Sequence, residues 1–318
     1  YYFGAPAIAD LDGDGVVEIV VGRAVLSAEG QTRFTMGAPQ HEFGSLPVVA
    51  DLDGDGYLAV ILGFSAYAHD GRQLFQRPER DGYPAVADLD GDGVAEIVVA
   101  GQGRLYCLDA NGDERWPAAS IGSGRGGPPT VADFDGDGRP DVGVASANFY
   151  SVFDGTGRLK WRQPISDFSS NITGSTAFDF DGDGVADALY ADENYLRVFR
   201  GQDGAVLFME ANPSCTLTEY PVVADVDGDG HADILAGMNQ ICGYGSRTGV
   251  LDSGLTVWAS ASVPWAPTRR IWNQHAYSIT NITEDGLVPR AVSPNWKVPG
   301  LNNFRLNTQL PSEGGVAS

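Results

Sequence analysis

The stretch 84–101, PAVADLDGDGVAEIVVAG, decides the fold. An apolar run at 84–88 leads into a turn with Asp at positions 1, 3 and 5 (Asp88, Asp90, Asp92) and glycine at positions 4 and 6. A β-branched run, 96–100, leads out, so the phrase reads as strand, tight turn, strand. Next, 104–109 (RLYCLD) alternates, Asn111-Gly112 supplies a hairpin turn and 113–116 (DERW) returns, which makes four strands.

The phrase recurs from Pro6, Pro47, Pro129, Thr176 and Pro221, which puts the first Asp of the six turns at 10, 51, 88, 133, 179 and 225. Successive spacings of 41, 37, 45, 46 and 46 residues are the length of one four-stranded propeller blade. A right-handed β-solenoid would have shorter rungs. No segment keeps a 3.6-residue apolar period, so helices should be few. The expected fold is all-β: a β-propeller of seven four-stranded blades. Six repeats start near 3, 44, 83, 128, 175 and 220, and a divergent last blade spans about 258–310, with strand-like text at 276–282 (AYSITNI) and 303–307 (NFRLN). Six blades plus a separate cap is the alternative. Residues 1–310 read as a single domain and 311–318 as a linker or disordered tail.

Each turn carries the donors of a metal site. The first has Asp10, Asp12, Asp14 and Glu18, with the Val16 carbonyl at position 7. The others have Asp51, Asp53, Asp55 and Tyr57; Asp88, Asp90, Asp92, Val94 and Glu96; Asp133, Asp135, Asp137, Arg139 and Asp141; Asp179, Asp181, Asp183, Val185 and Asp187; and Asp225, Asp227, Asp229, His231 and Asp233. Residues at position 7 offer only the backbone oxygen. Carboxylates at alternate positions of a tight turn converge, and hard oxygens in flexible geometry suit Ca²⁺ better than Mg²⁺. Up to six Ca²⁺ are expected. The second site should be the weakest, because Ala59 replaces the position 9 acid. An EF-hand is excluded by its need for Glu at position 12, where this chain has Val21, Leu62, Val99, Val144, Tyr190 and Ala236.

Composition agrees. Acids number 42 against 20 bases, for a net charge of −22, and 23 of those acids lie in the six turns. Outside the turns the chain is near neutral, so its acidity is the acidity of these sites. Nucleic acid and anionic membrane surfaces repel such a protein. No apolar run reaches the roughly 18–20 residues of a membrane span, so no membrane insertion is expected. The chain opens Tyr1-Tyr2-Phe3, without an initiator Met or signal peptide, and reads as a processed or excised piece of a longer protein.

The repeats resemble the FG-GAP and VCBS repeats of the integrin α-chain β-propeller and of secreted bacterial proteins. Phe3-Gly4-Ala5-Pro6 and Phe43-Gly44 carry the FG and AP elements, and the D-x-D-G-D-G-x-x-[DE] turn matches in all six units apart from Ala59. The resemblance spans about residues 3–257. It implies a seven-bladed propeller with Ca²⁺ on one face, an extracellular setting, and adhesion or ligand binding more often than catalysis. Segment 269–277 (RRIWNQHAY) also looks familiar from bacterial VCBS proteins, without an assigned role.

Other residues carry less. Trp258, Trp265, Trp272 and Trp296, with Arg269, Arg270, Asn273, Gln274, His275 and Tyr277, read as the filling of an irregular last blade, with a sugar-stacking platform as the alternative. Cys107 reads as a buried thiol, and Cys215 and Cys242, which flank the sixth turn, as a candidate disulfide. Nothing forms a nucleophile–base arrangement; His275, Arg269 and Arg270 are the only faint acid–base candidates. The expected function is therefore a secreted or cell-surface calcium-binding module that adheres to a protein or glycan ligand, not an enzyme. Self-assembly into a structural subunit and a polysaccharide lyase or hydrolase are the rivals. In Ca²⁺, Asp135→Ala should cost more stability than Asp53→Ala, by about 1 kcal/mol or more in a denaturant titration; equal losses would remove that ranking.

Overall fold

The computed structural model describes residues 4–38, 44–79, 82–239, 253–260 and 263–308. Among the described residues, six antiparallel sheets follow one another, each with its strands side by side in sequence order. Sheet 1 comprises Ala7–Ala9, Glu18–Val21, Ala24–Leu26 and Thr32–Thr35. Sheet 2 comprises Val48–Ala50, Ala59–Leu62, Ser65–Tyr67 and Gln73–Gln76, and sheet 3 Tyr83–Ala87, Glu96–Gly101, Arg104–Leu108 and Glu114–Ser120. Sheet 4 comprises Thr130–Ala132, Asp141–Ala145, Phe149–Phe153 and Leu159–Pro164. Sheet 5 comprises Ser175–Phe178, Asp187–Ala191, Tyr195–Phe199 and Val206–Ala211. Sheet 6 has three strands, Val222–Ala224, Asp233–Met238 and Gly254–Trp258. First strands of consecutive sheets touch from sheet 1 through sheet 6, a propeller-like arrangement. Among the described residues no helix is long and apolar enough to cross a membrane.

Burial explains the order within a sheet. In sheet 3 the first two strands are buried throughout and the third almost so, whereas the fourth alternates with solvent. Runs such as EIVVA therefore lie between neighbouring sheets, and the polar DERW return forms the rim.

From sheet 1 to sheet 5, one aromatic residue joins each sheet to the next. The third residue of every fourth strand is Phe34, Phe75, Trp116, Trp161 or Phe208. The first four lie against the hairpin glycine of the following sheet, at Gly71, Gly112, Gly157 and Gly204. The contact is close: a Cβ on Gly157 would stand 2.7 Å from Trp116, and the Trp116 indole N–H donates to Gly155 O at 3.2 Å. Trp161 repeats this with the carbonyl of Gly201. At the far end Phe208 meets Trp265 edge-on, with ring centroids 5.8 Å apart. Gly30, the same position in sheet 1, has nothing within 4 Å among the described residues.

The seventh blade expected at 258–310 is not among the sheets. From Ala259 to Thr308 the described residues form no strand, only two short 3-10 turns, Ile279–Asn281 and Asn295–Lys297, and isolated bridges. Five prolines there remove N–H donors from any ladder. The remaining groups pair with the free edges of other sheets' first strands. The Asn302 amide exchanges two hydrogen bonds with the Asp88 backbone (3.1 and 2.7 Å). Phe304 does the same with Val131 through its main chain (2.8 and 3.1 Å). Ala177 N donates to Arg305 O at 3.0 Å, Asn307 Nδ2 to Val223 O at 2.9 Å, and Ile8 N to Gln274 Oε1 at 2.9 Å. One segment thus ties sheets 1, 3, 4, 5 and 6 together.

Arg305 is the pivot. It is fully buried, and its guanidinium donates to Pro129 O at 2.8 Å and His275 O at 3.1 Å. A third bond, 3.1 Å to His275 Nδ1, makes that nitrogen the acceptor, leaving Nε2–H to donate to Thr218 O at 2.9 Å. Burial beside this cation holds His275 well below the usual imidazole range, and burial brings Arg305 down to about 10. Arg269 is buried on Tyr277 Oη and the carbonyls of Ile279 and Ile282. Two of the faint acid–base candidates are therefore braces. Trp272 stacks on Tyr277 at 4.2 Å, which places it in the fabric of the segment. Cys107 is a free, buried thiol and Cys215 is disulfide-bonded; Cys242, like Phe3, Phe43 and the 311–318 tail, lies outside the described residues.

Gly30 and Gly157 both have positive φ (81° and 80°), but only Gly157 faces a ring. Gly157→Ala should cost about 3 kcal/mol and Gly30→Ala about 1 kcal/mol in urea unfolding. Equal costs would show that the aromatic joints add nothing.

Candidate metal centres

Every acidic turn is built in the same way. The position 1 carboxylate folds back on its own loop: in the third turn Asp88 Oδ1 accepts from Gly91 N (2.7 Å) and Asp92 N (3.2 Å), and Oδ2 from Gly93 N (2.8 Å). The position 5 carboxylate accepts the position 7 amide, as Asp92 does from Val94 N at 2.8 Å. The position 9 carboxylate reaches across to the position 2 amide, as Glu96 Oε2 does from Leu89 N at 2.9 Å. The sixth turn repeats these bonds with Asp225, Asp229 and Asp233.

These bonds decide which carboxylates meet. Asp10, Asp12 and Glu18 each bring an oxygen within 4.8 Å of the other two, and so do Asp88, Asp90 and Glu96; Asp133, Asp135 and Asp141; and Asp179, Asp181 and Asp187. Positions 1, 3 and 9 thus converge, while Asp14, Asp92, Asp137 and Asp183 stand outside these clusters. Position 5 enters in the second turn, where Asp51, Asp53 and Asp55 cluster without a position 9 acid. The position 9 acids are buried, as are Asp10, Asp88 and Asp225 at position 1, and burial pushes Glu96, Asp141 and Asp187 up to about 7 and raises Glu18 too. Keeping them ionised requires a compensating positive charge.

Part of that charge is internal, from bases that the spacing of the acids does not reveal. Arg33 pairs with Asp12 at 2.8 Å and closely with Glu18. Arg115 pairs closely with Asp90 and lies 3.8 Å from Glu96. Lys160 pairs closely with Asp135 and stands 2.9 Å from Asp141. All three are the second residue of a fourth strand, so aligning that strand across the repeats was the available signal. For a metal, the all-oxygen donor set of positions 1, 3 and 9 fits a hard divalent cation and not a soft one. A cavity of about 510 Å³, lined by Asp133, Arg139, Asp179, Asn302, Asn303 and Asn307 among others, opens between the fourth and fifth turns and the closing segment.

Residues 88–144, 133–190 and 179–236 match the model of the FG-GAP-like repeat. The chain carries FG-GAP-like repeats. No curated protein matches it. Among solved structures, this FG-GAP-like chain is similar to the biofilm matrix protein Bap1 of V. cholerae, with 21% identity and a TM-score of 0.80 over 96% of this chain and 77% of that one. It is also similar to the rhamnogalacturonan lyases YesW (19%, TM-score 0.50) and YesX (21%, TM-score 0.50), covering 74% of this chain in each case. The chain spans 43% and 44% of those lyases' lengths, under half of each. At these identities the likenesses concern the fold.

Proposed function

We propose that this chain is an extracellular calcium-binding β-propeller that acts as an adhesion or ligand-binding module of a larger protein. Residues 1–310 form its single domain, and the closing segment stands where a seventh blade would. The observation that carries the reading is the recurrence of one carboxylate cluster in sheet after sheet. Asp10, Asp12 and Glu18, with their counterparts in the other turns, hold Ca²⁺, which bridges the first and second strands of each sheet and neutralises the buried position 9 acid. The setting is supported by the likeness in fold to Bap1, a biofilm matrix protein, over nearly the whole chain. That likeness supports a secreted or cell-surface location, and on this reading the ligand is a protein or glycan.

The cavity between the fourth and fifth turns is the place for that ligand, since amides such as Asn302, Asn303 and Asn307 suit hydroxyl-rich surfaces. The lyase rival rests on a likeness covering under half of each lyase. Its residues are also otherwise engaged: His275 and Arg269 brace the closing segment.

Excess chelator should lower the melting temperature by about 5 °C or more, because calcium binds the folded state alone. An unchanged melting curve would contradict the calcium assignment. On an array of extracellular polysaccharides, retention in Ca²⁺ and its loss in chelator are expected. Turnover of an acidic polysaccharide would select the enzyme, and concentration-dependent assembly without retention would select the structural subunit.

A further inference from the structure

The turns divide by what stands opposite them on the rim. The second residue of the fourth strand is Arg33 in sheet 1, Arg115 in sheet 3 and Lys160 in sheet 4, but Leu74 in sheet 2 and Leu207 in sheet 5. Asp187 of the fifth turn spends both oxygens on amides, those of Phe180 and Gly201, but in the first turn the loop uses one oxygen of the position 3 carboxylate and one of the position 9 carboxylate, and the base takes those left over. Asp12 Oδ1, for instance, accepts Asp14 N, whereas Oδ2 meets Arg33. Glu18 Oε2 accepts Leu11 N, whereas Oε1 meets Arg33. The internal cation thus occupies the oxygens that a metal needs.

The fifth turn lacks one. Asp181 Oδ1 accepts Asp183 N, and among the described residues no Lys or Arg pairs with Asp179, Asp181 or Asp187. Arg200, on the same sheet, pairs with Asp203 through two bonds of 2.9 and 2.6 Å. The second turn also lacks a base, but it has only three acids. Four carboxylates without a partner cation make the fifth turn the most negative of the first five.

Building on the calcium reading above, we infer that the second residue of each fourth strand sets the affinity of the turn beside it. Arg33, Arg115 and Lys160 are built-in competitors that a divalent cation must displace, and the fifth turn, facing Leu207, is the strong site of these five. Metal binding is therefore graded, with 179–187 filled first and 10–18, 88–96 and 133–141 filled later. The basic side chains hold those three turns together at low calcium, so the same rim position trades affinity against tolerance of calcium loss.

Calorimetric titration of the whole chain with calcium chloride tests this, using Lys160→Leu, Leu207→Lys and, as a marker of the fifth turn, Asp187→Asn. Wild type should show a tight phase whose stoichiometry Asp187→Asn lowers by one site, followed by weaker ones. Lys160→Leu should move one weak site about tenfold tighter, and Leu207→Lys should weaken the tight phase about tenfold, the scale of adding or removing one neighbouring charge at a partly exposed site. Circular dichroism without metal checks folding, and Leu207→Lys carries the test if Lys160→Leu does not fold. Isotherms that both substitutions leave unchanged overturn the inference while calcium binding stands. Absence of any calcium heat, with no shift in melting, overturns the calcium reading and the inference with it.

Discussion

Three carboxylates held within 4.8 Å of one another are the constraint on which this molecule depends. At an effective dielectric constant near 20, each such pair repels by about 3 kcal/mol, and the buried position 9 acid adds a desolvation cost. Such clusters stand beside the join between first and second strands in sheets 1 to 5, so the repulsion recurs around the structure. Backbone amides and, in three sheets, an Arg or Lys offset part of it. A divalent cation supplies the remainder on the present account. The repeat that makes the fold easy to build is also what makes it depend on positive charge.

Between the turns, stability passes from neighbour to neighbour, as in other repeat proteins. An aromatic residue on the rim of one sheet covers the hairpin glycine of the next, from Phe34 on Gly71 to Trp161 on Gly204. Such a series has two ends. Sheet 1 offers Gly30 with no ring against it, and sheet 5 offers Phe208, which meets Trp265 of the closing segment. That segment joins the ends from within, by pairing Asn302, Phe304, Arg305 and Asn307 with four consecutive sheets and Gln274 with the first. Buried Arg305 fixes its course, because no water replaces the carbonyls it binds.

The six sheets were legible because each repeat states its strands and turn in local text: β-branched runs, Asp-Gly turns and an alternating return. The strands read from 84–116 begin within a residue of those observed, though the fourth runs on to Ser120. The closing segment was misread for a physical reason. AYSITNI and NFRLN have strand-like composition, but Phe304, Arg305 and Asn307 pair with Val131, Ala177 and Val223 on other sheets' edges, and Tyr277 with Arg305 of the same segment; composition cannot reveal such partners. Nor could the spacing of acids show that positions 1, 3 and 9 meet while position 5 turns back to the position 7 amide. That choice depends on backbone hydrogen bonds within the loop. The internal bases were missed because Arg33, Arg115 and Lys160 lie 15 to 25 residues beyond the acids they meet and announce themselves only when fourth strands are aligned.

Long-wavelength anomalous diffraction from crystals grown in calcium chloride addresses the central claim most directly. The account predicts a calcium peak among the position 1, 3 and 9 carboxylates, highest at Asp179, Asp181 and Asp187. Well-ordered turns with no anomalous density in any of them would contradict it.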